Sequence, residues 1–214
     1  MERDGTWIGG SAVSERADGG HVSGDPDDDV TRRAVRRARQ AITEHERTVP
    51  DFPKPGILFR DLTPVLADTE GFASIVTALT HGCSGVDLVA GIDARGFLVG
   101  GAVAQELGVG ILAVRKGGKL PPPVHGVDYD LEYGTERLEI PASGIDISGR
   151  RVLVVDDVLA TGGTAVAAST LMSLAGASVV GVAVIMELAD LGGRERIVTE
   201  LGPEVHLHAI TDDR

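Results

Sequence analysis

Two adjacent carboxylates, Asp156 and Asp157, close an aliphatic run, Val152-Leu153-Val154-Val155, and lead through Val158 and Leu159 into Ala160-Thr161-Gly162-Gly163-Thr164. Consecutive aliphatic residues of this kind read as a strand buried on both faces, as in parallel sheets. The Ala-rich sequence after Thr164, closed by Gly176, reads as a helix with a C-terminal stop. Gly162 and Gly163 let a ligand approach the backbone closely. The N–H groups and dipole of a helix start attract an anion, and Thr161 and Thr164 add hydroxyls. That loop suits a phosphate, which the two carboxylates would repel; they suit a neutral diol or a metal ion. A sugar phosphate meets both demands, with ribose hydroxyls on Asp156 and Asp157 and its phosphate on residues 160–164. A lone acidic pair or a lone glycine pair would suit a solvated turn, but the ordered combination does not. No Lys follows the glycines and no G-x-G-x-x-G opens a helix, so neither a Walker loop nor a dinucleotide fingerprint is present.

The elements that must position these groups alternate. Val86 to Ile92 predicts a buried strand, Asp93-Ala94-Arg95-Gly96 a loop, and Phe97 to Leu107 a helix. Ile111 to Val114 predicts the next strand, with Arg115, Lys116 and Lys119 directly after it. Pro121-Pro122-Pro123 and the stretch to Gly134 read as a long functional loop, and Tyr133 to Ile140 as a returning strand. Ser178 to Glu187 predicts another buried strand, Leu191 to Thr199 a short helix, and Val205 to Ile210 an edge strand with His206 and His208 on one face. Such alternation predicts an α/β domain with a mostly parallel twisted sheet flanked by helices. Ligands of these sheets bind at the carboxyl ends of the strands. Asp93–Gly96, Arg115–Lys119 and Asp156–Thr164 therefore share one rim. A ribose with a phosphate at one end and a pyrophosphate at the other would fill it.

The segment Leu159 to Thr164 resembles the phosphoribosyl-pyrophosphate (PRPP) signature of the type I phosphoribosyltransferases, in the form carried by the adenine branch. Pro50 to Pro64 is similar to that branch's hood, and Arg115 to Pro121 with Tyr129 to Gly134 is similar to its R-K-x-G-K-L-P … Y-x-L-E-Y-G lid. The resemblance covers about Asp51 to Leu191. It implies a type I phosphoribosyltransferase fold with a small hood at about 50–64 and a flexible lid hairpin at about 115–140. It implies transfer of the phosphoribosyl group from PRPP to adenine, giving AMP and pyrophosphate in purine salvage. Mg²⁺ would be held mainly by substrate oxygens, without direct protein ligands. On the same ground Arg95 is the anion clamp and Glu132 a general base or an orienter of the base. PRPP contacts fall to Asp156, Asp157, Ala160, Thr161, Gly162, Gly163, Thr164, Arg115, Lys116 and Lys119. Phe59 would stack on the purine, while backbone at Leu58 and Arg60 reads its edge. A homodimer is implied, in which the residue matching Arg115 reaches the neighbouring subunit's site. The plainer readings are a structural salt bridge at Arg95, a core position at Phe59 and a solvated loop acid at Glu132.

Bulk properties set outer limits. The chain of 214 residues allows one domain with a real core. A formal charge of −12 disfavours a nucleic-acid surface. Cys83 is the single cysteine, which excludes a disulfide framework and agrees with a cytoplasmic location. No membrane span or signal peptide is read. Residues 1–29 read as a disordered acidic tail, and 30–214 as a single domain. The Asp residues at 25 and 27–29 do not make a calcium loop, because Val30 and Arg36 stand where a Gly and a Glu are required. Thr31 could cap a helix running to about Arg47. Other purine phosphoribosyltransferases, and a non-catalytic PRPP-sensing regulator, are the alternatives; for the latter only the Arg-rich stretch 32–39 could meet DNA.

Overall fold

The structure, a computed structural model, describes residues 26–52, 54–131 and 134–212, with backbone alone at 26–29 and 131. The sequence predicts one domain; the chain divides into two compact units between Ser84 and Gly85.

In the first unit, helix α1 spans Pro26–His45. It begins ahead of Thr31, inside the stretch read as a tail. Pro and Asp are favoured types in a first helical turn, which explains the earlier start. Thr31 is thus no cap; its hydroxyl lies 2.7 Å from His81 Nδ1. Ala34, Ala38, Ala41 and Ile42 form the buried stripe of α1. The stretch Pro50 to Pro64, similar to the family's hood, holds the second half of a hairpin, β1 (Arg47–Pro50) paired antiparallel with β2 (Leu58–Asp61). A short helix α2 (Thr63–Ala67) leads to α3 (Thr69–Thr80), capped by Asp68, whose carboxylate accepts from the Gly71 N–H at 2.7 Å. A Cβ at Gly71 would sit 2.8 Å from Ala41 Cβ, so this glycine lets α1 and α3 close on each other.

The second unit contains β3 (Leu88–Ile92), α4 (Arg95–Leu107), β4 (Gly110–Lys116), β5 (Val124–Leu131), β6 (Gly134–Pro141), β7 (Arg151–Leu159), α5 (Gly163–Leu174), β8 (Ser178–Glu187), a 3₁₀ turn (Ala189–Leu191), α6 (Gly193–Leu201) and β9 (His206–Asp212). Its sheet has seven strands in the order β5-β6-β4-β3-β7-β8-β9. The run from β4 to β9 is parallel. The β5–β6 hairpin is antiparallel and hangs on the end of β4 through Arg115↔Glu139 and Lys116↔Leu138. Alternate residues separate the faces. Leu88, Ala90, Val152 and Val154 share a core with Ala165, Ala168 and Leu171 of α5, whereas Val89 and Gly91 meet α4 at Gly100. Helices therefore cover both faces, the usual setting of near-continuous apolar strands.

Three boundaries differ from expectation, and each bears on the site. Arg95 is the first residue of α4 rather than a loop residue. Arg115 and Lys116 end β4 rather than follow it. β7 runs to Leu159, so the acidic pair lies within the strand. Its ladder with β3 stops at Val155↔Gly91, but β8 continues alongside through Leu159↔Glu187. Asp156 and Asp157 thus sit where β7 has lost one neighbour and kept the other.

Candidate active site

The carboxyl ends of β3 and β7 are drawn together by glycines. A Cβ at Gly96 would lie 2.7 Å from the Val155 carbonyl oxygen and 3.1 Å from Asp156 Oδ1. The first turn of α4 can approach the end of β7 because Gly96 has no side chain. That approach delivers Arg95 to Asp157, with Nη2 at 2.8 Å from Oδ2. Asp157 is buried and Arg95 part-buried. A guanidinium at a helix N-terminus faces an unfavourable dipole, and the carboxylate offsets it. The site at this point is a cation and a helix N-terminus stacked together.

Asp156 behaves differently. Its Oδ1 accepts the Asp157 N–H at 2.9 Å. Burial, then the charge of Asp157, push its carboxyl well above the usual carboxylate range, and the Arg95 charge only partly opposes this. A carboxylate held ionised at such cost gains from a neighbouring cation or from hydroxyl donors.

The loop beyond the acids is built from backbone. Gly162 adopts the left-handed conformation at φ 80° and N-caps α5. A side chain there would also strike the Gly193 carbonyl oxygen at 2.9 Å. Gly193 itself opens α6, and a Cβ on it would sit 2.2 Å from the Ala160 carbonyl oxygen and 2.9 Å from Leu159 Cγ. The start of α6 therefore buttresses residues 160–162. Ala160, Thr161 and Thr164 are part-buried around the start of α5, whose N-terminal amides can bind an oxyanion.

The cations from β4 are paired as well. Arg115 Nε meets Asp93 Oδ2 at 2.9 Å, and its guanidinium lies 5.6 Å from the centroid of the Phe97 ring. Lys116 Nζ is 3.3 Å from Glu136 Oε2 on β6. Lys119 is exposed. The loop carrying it is fixed by Glu139, a buried carboxylate that accepts from the Gly118 N–H at 2.9 Å and from Arg137 Nε at 3.0 Å. Among the described residues no cluster of three or more acidic, His or Cys side chains could hold a metal alone. Asp156 still fits the edge of a dication's shell, for the electrostatic reason given.

A model of the family described as "Phosphoribosyl transferase domain" matches residues 66–200. A curated adenine phosphoribosyltransferase of Mycolicibacterium vanbaalenii is 64% identical over 148 residues, 69% of this chain and 85% of the relative. The chain belongs to the adenine phosphoribosyltransferase family. Solved structures agree. The family's enzyme from Rhodothermus marinus is 43% identical with a TM-score of 0.74, covering 85% of this chain and 99% of that one. That of Saccharomyces cerevisiae, complexed with an imino-altritol bisphosphate and adenine, is 32% identical with a TM-score of 0.73, covering 82% and 98%.

Of the residues the family resemblance singles out, the second unit brings together Arg95, Asp156, Asp157, Ala160 to Thr164, Arg115 and Lys116. Glu132 lies outside the described residues. Leu58, Phe59 and Arg60 lie on β2 in the first unit. There Phe59 packs edge-on to Phe52 at 5.1 Å between centroids, Leu58 is exposed, and the Arg60 side chain is taken by Glu46 at 2.5 Å. Sequence reasoning missed Gly193 and Glu136, and it named Asp93 and Tyr129 without giving either a role. The Gly192-Gly193 pair was a visible signal for the first; the others needed their partners.

Proposed function

We propose that the protein transfers the 5-phosphoribosyl group from PRPP to adenine, forming AMP and releasing pyrophosphate. The observation that carries this is the end of β7, where a backbone anion loop, an acidic pair and the Arg95 guanidinium stand side by side. A bound ribose would place its 5-phosphate on residues 160–164 and its hydroxyls on Asp156 and Asp157. Pyrophosphate would face Arg95, Arg115, Lys116 and Lys119. The anomeric carbon passes through an oxocarbenium-like state, as in glycosyl chemistry generally. Cationic groups aimed at the departing pyrophosphate lower the barrier by stabilising charge that grows in the transition state. Mg²⁺, held mainly by substrate oxygens with Asp156 and Asp157 at its outer edge, would neutralise part of that charge. Phe59 offers an aromatic face to the purine, and backbone groups at Leu58 and Arg60 read its edge. Glu132 takes the proton that adenine loses or orients the base. A homodimer in the cytoplasm completes the reading; no helix among the described residues is long and apolar enough to cross a membrane.

The test is AMP formation from labelled adenine, run beside hypoxanthine. Hypoxanthine reverses the donor and acceptor of adenine's edge, so adenine is preferred by about 10⁴-fold. Equal use of both bases overturns the adenine assignment, and no product from either overturns the enzyme assignment. Glu132→Gln lowers the single-turnover rate by about 10²–10⁴-fold or less. Asp130→Asn, whose exposed carboxylate accepts only from Thr135 among the bonds seen at 3.2 Å, leaves that rate unchanged.

A further inference from the structure

Tyr129 stands on β5 and is 9% exposed. Its strand lies against the start of α5: the Asp130 carbonyl oxygen is 3.4 Å from where a Cβ on Gly163 would be, and the Tyr129 ring shares a core with Ala165 and Val166. The phenol oxygen donates to Glu136 Oε2 at 3.2 Å, its partner directly across the hairpin. The same Oε2 holds Lys116 Nζ at 3.3 Å. On the other side the ring packs beside Ala165 and Val166 in the first turn of α5, next to Thr164. Burial, followed by the charges of Glu136 and Asp156, pushes the phenol up, while Thr164 opposes the shift; the group keeps its proton and remains a donor. A phenol has one proton and two lone pairs, enough to serve Glu136 and Thr164 together. Tyr129, Glu136 and Lys116 therefore form one polar chain, which starts beside Thr164. It runs from the phosphate loop to the cation placed for pyrophosphate, and its middle members lie on the β5–β6 hairpin.

We propose that Tyr129 is a positioning residue that couples the two anion-binding ends of the site, through Thr164 at one end and through Glu136 and Lys116 at the other; this rests on the phosphoribosyl-transfer reading. An anion that settles on Thr164 fixes the phenol, and with it the hairpin. Glu136 and Lys116 then lose less freedom when the second anion arrives, and linkage makes the effect reciprocal.

The experiment measures pyrophosphate affinity by calorimetry on the full chain in buffer with Mg²⁺, with and without saturating ribose 5-phosphate. It is repeated in Tyr129→Phe, which keeps the ring and loses the hydroxyl, and in Glu136→Gln, which keeps an acceptor and loses the charge. Repulsion between the two anions is common to all three proteins and cancels in the ratio of coupling factors. The ratio of parent to Tyr129→Phe is expected to be about five, the net worth of one hydrogen bond, and Glu136→Gln follows in the same direction. A purely structural role would weaken pyrophosphate equally with and without ribose 5-phosphate, giving a ratio of one in both variants and overturning the inference while sparing the site. A parent that binds neither ligand overturns the site and the inference together.

Discussion

The two ends of the site are built by different means. The end proposed for the 5-phosphate, Asp156 to Thr164, is one contiguous segment that closes on the backbone amides at the start of α5. The end proposed for pyrophosphate is gathered from β3, α4, β4 and the β5–β6 hairpin, and three of its cations meet carboxylates: Arg95 with Asp157, Arg115 with Asp93, Lys116 with Glu136. A backbone amide is fixed by the fold and needs no counter-charge. A long cationic side chain must be held in place, and a carboxylate does this at the cost of competing with the anion to come. One end is thus preorganised by geometry, the other by ion pairs that a ligand must exchange.

The largest expected effect breaks the second end. Arg95→Ala lowers kcat/KM by about 10²–10³-fold and, by leaving the buried Asp157 without its ion-pair partner, lowers stability by roughly 2–3 kcal/mol. Adding Asp157→Asn restores the melting temperature but not turnover. Recovery of turnover in the double variant would reduce Arg95 to a counter-ion.

A smaller effect tests the first end. Gly193→Ala forces the Ala160 carbonyl away from a contact of 2.2 Å, and it raises KM for PRPP by roughly tenfold. Pyrophosphate affinity measured alone stays at the parent value. Equal weakening of both ligands would show that the two ends are not built independently of α6.

Asp156→Asn sharpens the contrast through stability. The folded-state value of the Asp156 carboxyl is raised, so the fold loses stability as pH rises from the ordinary carboxylate range through that raised value. The variant is therefore more stable than the parent at pH 8, by about 1 kcal/mol. The gain shrinks as pH falls toward 4, where the parent carboxyl is protonated too. A gain that does not change with pH would remove charge as its cause. The smallest effect is expected outside both ends: removing residues 1–25, which lack apolar periodicity, leaves melting and turnover unchanged. Cutting at Val30 instead removes the first turn of α1 and costs about 1 kcal/mol.

Local signals were enough for some elements. β8 occupies Ser178–Glu187 as its apolar run predicts. Others depended on neighbours. Nothing in Asp156-Asp157-Val158-Leu159 marks a strand, because what extends β7 is the ladder to β8. Val124 to Leu131 carries Gly126, Asp128 and Asp130 and reads as loop; it is a strand because β6 supplies hydrogen-bond partners along its whole length.

The sequence by itself determined the order of strand, acids, glycine loop and helix, and with it the kind of ligand one rim could take, because phosphate-binding backbone is local chemistry written in consecutive residues. The tertiary structure alone decided which carboxylate each cation meets, that Gly96 and Gly193 are spacers under Asp156 and Ala160, and that Tyr129 reaches Glu136 from beside the start of α5. Those facts depend on contacts between different elements, and pair energies of that kind leave no mark in periodicity or spacing.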